Sequence, residues 1–90
     1  MYADQYSEEI TWKLSKLKKR DPNHYNIVRK KMDQILSNPE HGHKFLHHDM
    51  KGINRVHIGH FVLAFRIDHP NKMVFFDDYD HHDNIYQKRI

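Results

Sequence analysis

The spacing of apolar positions changes once along this chain, from a helical period to a strand period. Ile10, Leu14 and Leu17 follow one another at intervals of four and three residues, which is the spacing of one helix face. Ser7 precedes them as a good N-cap, and the acidic pair that follows it lies where the helix dipole favours negative charge. The pattern predicts a first helix that begins after Ser7.

A second helix is predicted directly after the first. Asp21 is a suitable N-cap, and Pro22 fits the first helical position. The helix then carries one apolar stripe, formed by Tyr25, Val28, Met32, Ile35 and Leu36. Asn38 and Pro39 end it. Because only a short turn joins the two helices, they should form an antiparallel hairpin.

The second half of the chain has the alternating pattern of strands. Arg55 to Ile58 and Phe61 to Ile67 are predicted strands, joined by a tight turn at Gly59–His60. Met73 to Phe76 is a third strand, and from Asp77 onward the apolar pattern stops. Tyr2 to Tyr6 is a weak candidate for an additional first strand.

The predicted middle strand has two different faces. Alternation places Phe61, Leu63, Phe65 and Ile67 on one side as core, and Val62, Ala64 and Arg66 on the other. A helix hairpin followed by a meander indicates an α+β fold, with the helices packed on one face of an antiparallel sheet of three or four strands. Ninety residues, 1–90, make a single domain.

Composition narrows the class of protein. The chain has no cysteine, which excludes disulfides and thiolate metal sites. No apolar run resembles a signal peptide or a membrane span, so we expect a cytoplasmic protein without a membrane partner. The formal net charge is +3, and ten histidines can add positive charge near a polyanion. These features favour a protein that binds a phosphate-bearing partner only slightly over a protein that is merely basic.

The segment from Asp77 to Tyr86, DDYDHHDNIY, is dense in metal-ligand residues. On a strand, however, the adjacent His81 and His82 would point to opposite faces, and neither has a helical i, i+4 partner there. We therefore expect no physiological metal and no other cofactor. A regulatory module that binds a metal through its histidines remains a minor alternative.

The second half of the chain offers the chemistry for cutting RNA. Cleavage through the neighbouring 2′-hydroxyl needs a base, an acid and cations around the phosphorane. Histidine can carry out both proton transfers near neutral pH, and arginine and lysine can supply the charge. The candidates are Lys51, Arg55, His57, Arg66, His81, His82 and Tyr86. A solvated polar sheet face would explain the same residues without any activity.

The first helix has a basic outer side. Lys16, Lys19 and Arg20 lie in the run KLSKLKKR and could grip RNA phosphates, although a merely solvated face is as good an explanation. Trp12 lies away from the apolar stripe. We expect it to pack against the second helix or the sheet edge, and otherwise to anchor a protein partner.

The run NPEHGHKFLHHDMKGINRVHIGHFVLAFRID, followed by DDYDHHDNIY, resembles the RelE/ParE superfamily of toxins from toxin–antitoxin systems. The matching positions, in the order that family members have them, are Asn38, Pro39, Gly42, Leu46, Gly52, Arg55, Gly59, His81 and Tyr86. The resemblance covers nearly the whole chain, from Ser7 to Tyr86.

The resemblance implies a small α+β toxin that is neutralised by an antitoxin, either RelB-like or similar. In its RelE branch it implies cleavage of mRNA in the ribosomal A site, without metal. The chain departs from the family pattern where His57 and His82 replace common arginines and where Val62 replaces an arginine that contacts phosphate. Arg89 lies close to the position of a further family arginine. This chain could therefore depend more on proton transfer and less on fixed charge.

The leading hypothesis is a metal-independent mRNA endoribonuclease. His81 and His82 are its candidates for proton transfer, with His57 or Asp83 assisting, and Tyr86 would orient a base. Arginine and lysine side chains would bind phosphate. The alternatives are a non-catalytic ParE-like inhibitor of DNA gyrase and a catalytically weak RelE relative.

Overall fold

The computed structural model describes residues 1–39 and 52–87, with side chains as far as Ile85. In chain order the elements are β1 (Ala3–Tyr6), α1 (Glu8–Arg20), α2 (Pro22–Ser37), β2 (Asn54–Ile58), β3 (Phe61–Asp68), β4 (Met73–His81) and α3 (His82–Gln87). The two long helices and the predicted strands are confirmed. The short α3 was not predicted.

Both helix starts follow from the capping residues. The Ser7 hydroxyl accepts a hydrogen bond of 3.0 Å from the Ile10 backbone N–H. The Asp21 carboxylate accepts one of 3.2 Å from the backbone N–H of His24. These side chains satisfy N–H groups that have no partner within the helix. No helix among the described residues is long and apolar enough to cross a membrane.

The four strands form one sheet in the order β1-β4-β3-β2. The β2–β3 and β3–β4 pairs are antiparallel, as predicted. The candidate strand at the N-terminus exists, but β1 runs parallel to β4, pairing Ala3 with Met73 and Tyr6 with Phe76. The expectation of an entirely antiparallel sheet is therefore wrong at this edge, and the sheet is mixed. The local pattern could not show this, because β1 and β4 are far apart in sequence.

The main core lies between the helix pair and one face of the sheet. Its fully buried side chains are Ile10, Val28, Met32, Ile35, Leu63, Phe65, Val74 and Phe76. Phe61 and Ile67 are half-buried and pack against this cluster. The predicted core face of β3 is therefore confirmed.

The second face of β3 is also covered in part. Val62 is fully buried and Ala64 nearly so, although alternation places them on the side of β3 opposite the core. The unpredicted α3 packs against β3 and β4, and its Ile85 is buried too. A side chain at position 62 therefore belongs to a packed layer.

β4 continues five residues beyond its predicted end at Phe76, as far as His81. Its register against β3 shifts between Ala64 and Phe65, whose partners are Asp78 and Phe76, so that Asp77 is an extra, bulged residue. As a result, Phe76 and Tyr79 are both buried although they are three positions apart. The bulge interrupts the period of two, which explains why the apolar pattern seemed to stop.

Candidate active site

Histidines from two turns of the chain meet at one end of the sheet. The His82 backbone N–H donates a 3.0 Å hydrogen bond to the carbonyl of His60, in the turn between β2 and β3. The His81 ring stacks near that of His60, with centroids 6.3 Å apart, and lies 4.8 Å from the ring of His82. We call His60, His81, His82 and Asp83 the histidine cluster.

The cluster exists because β4 ends where α3 begins. His81 is the last strand residue and His82 is the first helical one. The expectation that these two side chains point to opposite faces assumed a strand through both, and that assumption is wrong. Turning from strand to helix brings the two rings to the same side of the chain.

Asp83 links the two histidines. Its Oδ1 lies 2.8 Å from Nδ1 of His82, and its Oδ2 lies 3.8 Å from Nδ1 of His81. The Asp83 backbone N–H also donates to Nδ1 of His81 at 3.3 Å. The side chains of His81 and His82 are 42% and 41% exposed, so their rings remain accessible to a ligand.

An aromatic group supports the cluster from the core side. Phe61 meets His81 edge-on, with centroids 5.7 Å apart, and stacks on Tyr79 at 5.2 Å. His24, at the start of α2, packs edge-on against Phe61 and shares a short hydrogen bond with the Tyr79 hydroxyl. Burial raises the pKa of Tyr79, which therefore keeps its proton. These contacts fix the last part of β4 against the helix pair.

Lys13 joins α1 to the same part of β4. Its Nζ donates to Asp78 Oδ1 at 2.8 Å and to Asp80 Oδ2 at 2.9 Å. Burial opposes the charge on Lys13, but these two hydrogen bonds outweigh burial and raise its pKa. Lys13 therefore holds in place the residue that directly precedes His81.

The exposed side of α1 is basic and carries an aromatic ring. Trp12 is 61% exposed, and the Lys16 Nζ lies 4.3 Å from its ring centroid. The expectation that Trp12 packs against another element is therefore wrong. A depression of about 160 Å³ separates this side of α1 from β4, and its lining residues are Trp12, Lys13, Lys16, Leu17, Arg20, Tyr79 and Asp80. Lys19 is exposed but does not line it.

The other candidates on the sheet do not join the histidine cluster. Arg66 lies five positions along β3 from Phe61, the residue that pairs with His81. Five strand residues span roughly 17 Å. The Arg66 guanidinium makes two hydrogen bonds to Asp77, of 2.8 and 2.9 Å. Arg55 is only 4% exposed. His57 is exposed, but it pairs with Val62 and so lies on the opposite face from His81.

Three candidates are beyond what the structure describes. Lys51 and Arg89 lie outside the described residues, and for Tyr86 only its place in α3 is described. Sequence reasoning, in turn, missed His60, Tyr79 and Lys13. Continuing the pairing of β3 with β4 beyond Phe76 could have placed Phe61, and with it the neighbouring His60, near His81. The Lys13 contacts required the tertiary fold.

Comparison with known proteins finds relatives that match nearly the whole chain. No family model matches the chain. It is 44% identical over 90 residues to the protein named "Putative toxin RelE4" of Methanocaldococcus jannaschii, covering 99% of this chain and 95% of the relative. It is also 44% identical over 87 residues to an uncharacterized protein of Methanosarcina mazei, covering 96% of this chain and all of the relative.

Solved structures share the fold. The isolated RelE toxin of Escherichia coli superposes with a TM-score of 0.73 at 13% identity, covering 98% of both chains. A chain of the toxin–antitoxin complex RelBE2 from Mycobacterium tuberculosis gives a TM-score of 0.69 at 22% identity, covering 89% of this chain and 96% of that one. The full-length likeness to the Methanocaldococcus protein, on a fold shared with these toxins, shows that the chain belongs to the RelE family of toxins.

Proposed function

We propose that this toxin is a metal-independent endoribonuclease that cleaves mRNA in the ribosomal A site, and that a cognate antitoxin neutralises it. The observation that carries the proposal is the pairing of His82 with Asp83 at 2.8 Å, beside a second accessible histidine, His81. A histidine oriented by a carboxylate is a suitable general base, and a second imidazole nearby supplies the acid.

His82 is the base in this proposal. Its Nδ1 lies 2.8 Å from Oδ1 of Asp83. With the ring proton on Nδ1, facing this carboxylate, the Nε2 lone pair is available for the proton of a ribose 2′-hydroxyl. As His82 becomes an imidazolium, the carboxylate stabilises the new charge. The 2′-oxygen then attacks the adjacent phosphorus.

His81 is the acid. In its protonated form it donates a proton to the departing 5′-oxygen as the bond from phosphorus to that oxygen breaks. The products are a 2′,3′-cyclic phosphate and a free 5′-hydroxyl, and a proton moves from His82 to His81, through solvent, before the next cycle.

The basic side of α1 supplies the RNA contact. Lys16, Lys19 and Arg20 would neutralise phosphates, and the exposed ring of Trp12 offers a surface on which a base can stack. We leave Arg66 out of the reaction, because its guanidinium is already held by both oxygens of Asp77.

An antitoxin is proposed as the protein partner. The mycobacterial structural neighbour was solved within a toxin–antitoxin complex. Exposed apolar side chains on both long helices, Trp12 on α1 and Ile27 on α2, offer contacts for such a partner. Growth arrest on expression of this chain, relieved by co-expression of the protein encoded beside it, would support this part of the proposal.

Primer extension on a translated mRNA tests the nuclease. His81→Ala and His82→Ala should each reduce cleavage by roughly 10²- to 10⁴-fold, the usual contribution of one proton-transfer group. Asp83→Asn should reduce cleavage less, because the Asp83 carboxylate only orients His82. Tyr86→Phe tests the predicted contact with an RNA base.

The matched control is His69→Ala, which removes an exposed histidine of the turn between β3 and β4. It should cleave like the wild type. Undiminished cleavage in both His81→Ala and His82→Ala would refute the site. Inhibition of DNA supercoiling by gyrase with no mRNA cuts would replace the proposed activity by the binder alternative.

A further inference from the structure

We infer that the histidine cluster is also a binding site for a divalent ion of the zinc class. Its ligands are His81, His82 and Asp83, which each offer one atom, and these atoms lie within 4.8 Å of one another. Within the part of the chain that the structure describes, no other group of histidines and carboxylates meets this condition.

The ligand atoms lie close enough together for side-chain rotation to bring them around one tetrahedral ion. Bonds of about 2.0–2.1 Å place tetrahedral ligands roughly 3.3 Å apart. The Asp83 carboxylate lies between the two imidazoles, with Oδ1 2.8 Å from Nδ1 of His82 and Oδ2 3.8 Å from Nδ1 of His81. Side-chain rotations that shorten these separations from at most 4.8 Å would seat an ion between the three groups.

The chemistry of the ligands selects the class of ion. Two imidazoles and one carboxylate suit zinc and the neighbouring first-row ions, whereas magnesium and calcium prefer oxygen ligands alone. The three side chains are between 41% and 64% exposed, so an ion can reach them from solvent. Three protein ligands leave one position open for water.

An ion bound at this site would inhibit the cleavage of RNA, an inference that rests on the proposed function. An ion on Nδ1 of His82 leaves the ring proton on Nε2, which is the atom that must accept the proton of the 2′-hydroxyl. The ion also draws Asp83 away from its orienting role. Metal binding and proton abstraction therefore exclude one another, and zinc should inhibit cleavage reversibly.

Calorimetric titration with Zn²⁺ and the visible absorption of Co²⁺ test binding directly, on the full chain without an affinity tag. The wild type and the control His69→Ala should bind one ion at this site. His82→Ala and Asp83→Asn should bind it at least about tenfold more weakly, and the tetrahedral Co²⁺ absorption should disappear. Asp83→Asn keeps the size of the side chain, and circular dichroism shows whether each variant is folded.

Unchanged affinity in folded His82→Ala and Asp83→Asn would overturn the site. The sequence has four further histidines between residues 41 and 48, and all variants retain them, so binding through those residues would give this outcome. A wild type that binds zinc at the cluster but never cuts RNA would support the metal site while refuting the nuclease. A nuclease that zinc leaves fully active would overturn the inferred inhibition.

Discussion

The contact of Lys13 with Asp78 and Asp80 should contribute measurably to stability. Its ammonium group makes hydrogen bonds of 2.8 and 2.9 Å to the two carboxylates, and the three side chains are only 15–25% exposed. Hydrogen bonds to charged groups contribute roughly 1.5–3 kcal/mol each when well shielded. Because the two bonds share one ammonium and all three side chains keep some contact with solvent, we expect less than the sum of two such bonds: Lys13→Met should lower the free energy of unfolding by about 2–4 kcal/mol.

Thermal and urea unfolding, followed by circular dichroism, measure this loss. For a domain of this size the expected loss corresponds to a decrease in Tm of at least about 8 °C. Lys19→Met is the matched control, because it removes an exposed lysine from the same helix, and it should change stability by less than about 0.5 kcal/mol. An equal effect of the two substitutions would refute the reasoning.

Two further measurements separate charge from packing. Lys13→Met leaves Asp78 and Asp80 close together without their shared ammonium, so adding Asp78→Asn and Asp80→Asn should recover part of the loss. The folded pKa of Lys13 is raised, so its contribution is fully present below the unfolded pKa of about 10.4 and is lost only at higher pH. The difference between wild type and Lys13→Met should therefore stay constant between about pH 6 and pH 9.

Three further substitutions test other parts of the structure by the same unfolding measurements. Val62→Arg places a charge in a fully buried position and should destabilise by more than about 3 kcal/mol, whereas a soluble, equally stable variant would contradict the packed second face. Gly59→Ala meets no atom within 4 Å, so its cost of about 1–2 kcal/mol should come only from the positive φ of 64°. Asp77→Ala should cost no more than about 1 kcal/mol, because the Arg66 side chain is 46% exposed, and a larger loss would show that the pair matters more than an ordinary surface ion pair.

The helical half of the fold was predictable because its signals are local. The Ser7 and Asp21 caps and the apolar stripe behind each lie within one or two helical turns of sequence. The same holds for the turn at Gly59–His60, since glycine there adopts a backbone conformation that other residues avoid. These features are set by neighbouring residues alone.

The features that were not predicted depend on distant parts of the chain. The parallel pairing of β1 with β4 and the burial of Val62 involve segments far apart in sequence. The exposure of Trp12 depends on which side of α1 the sheet covers. For the site, the residue types in DDYDHHDNIY were recognised, but the contacts between them were not, because these follow from a bulge and a helix start.

Two interruptions of strand geometry together create the histidine cluster. Without the bulge at Asp77, alternation from Phe76 would direct His81 away from the helix pair, and it would lose its contact with Phe61. Without the start of α3 at His82, the two imidazoles would face opposite sides of the sheet.

At Val62 the chain departs from the RelE/ParE pattern, and this position is buried in the structure. Val62, at which the resemblance to the RelE/ParE superfamily implies an arginine, is buried in this chain, so a fixed charge at that position would have no access to RNA. The positive charge for phosphate must then come from elsewhere, and Lys16 and Arg20 line the depression whose other wall ends at Asp80, next to His81. In the proposed mechanism α1 would hold the RNA, and the junction of β4 and α3 would transfer the protons. Replacing Lys16 and Arg20 should therefore weaken RNA binding, while replacing His82 should slow cleavage of RNA that is already bound.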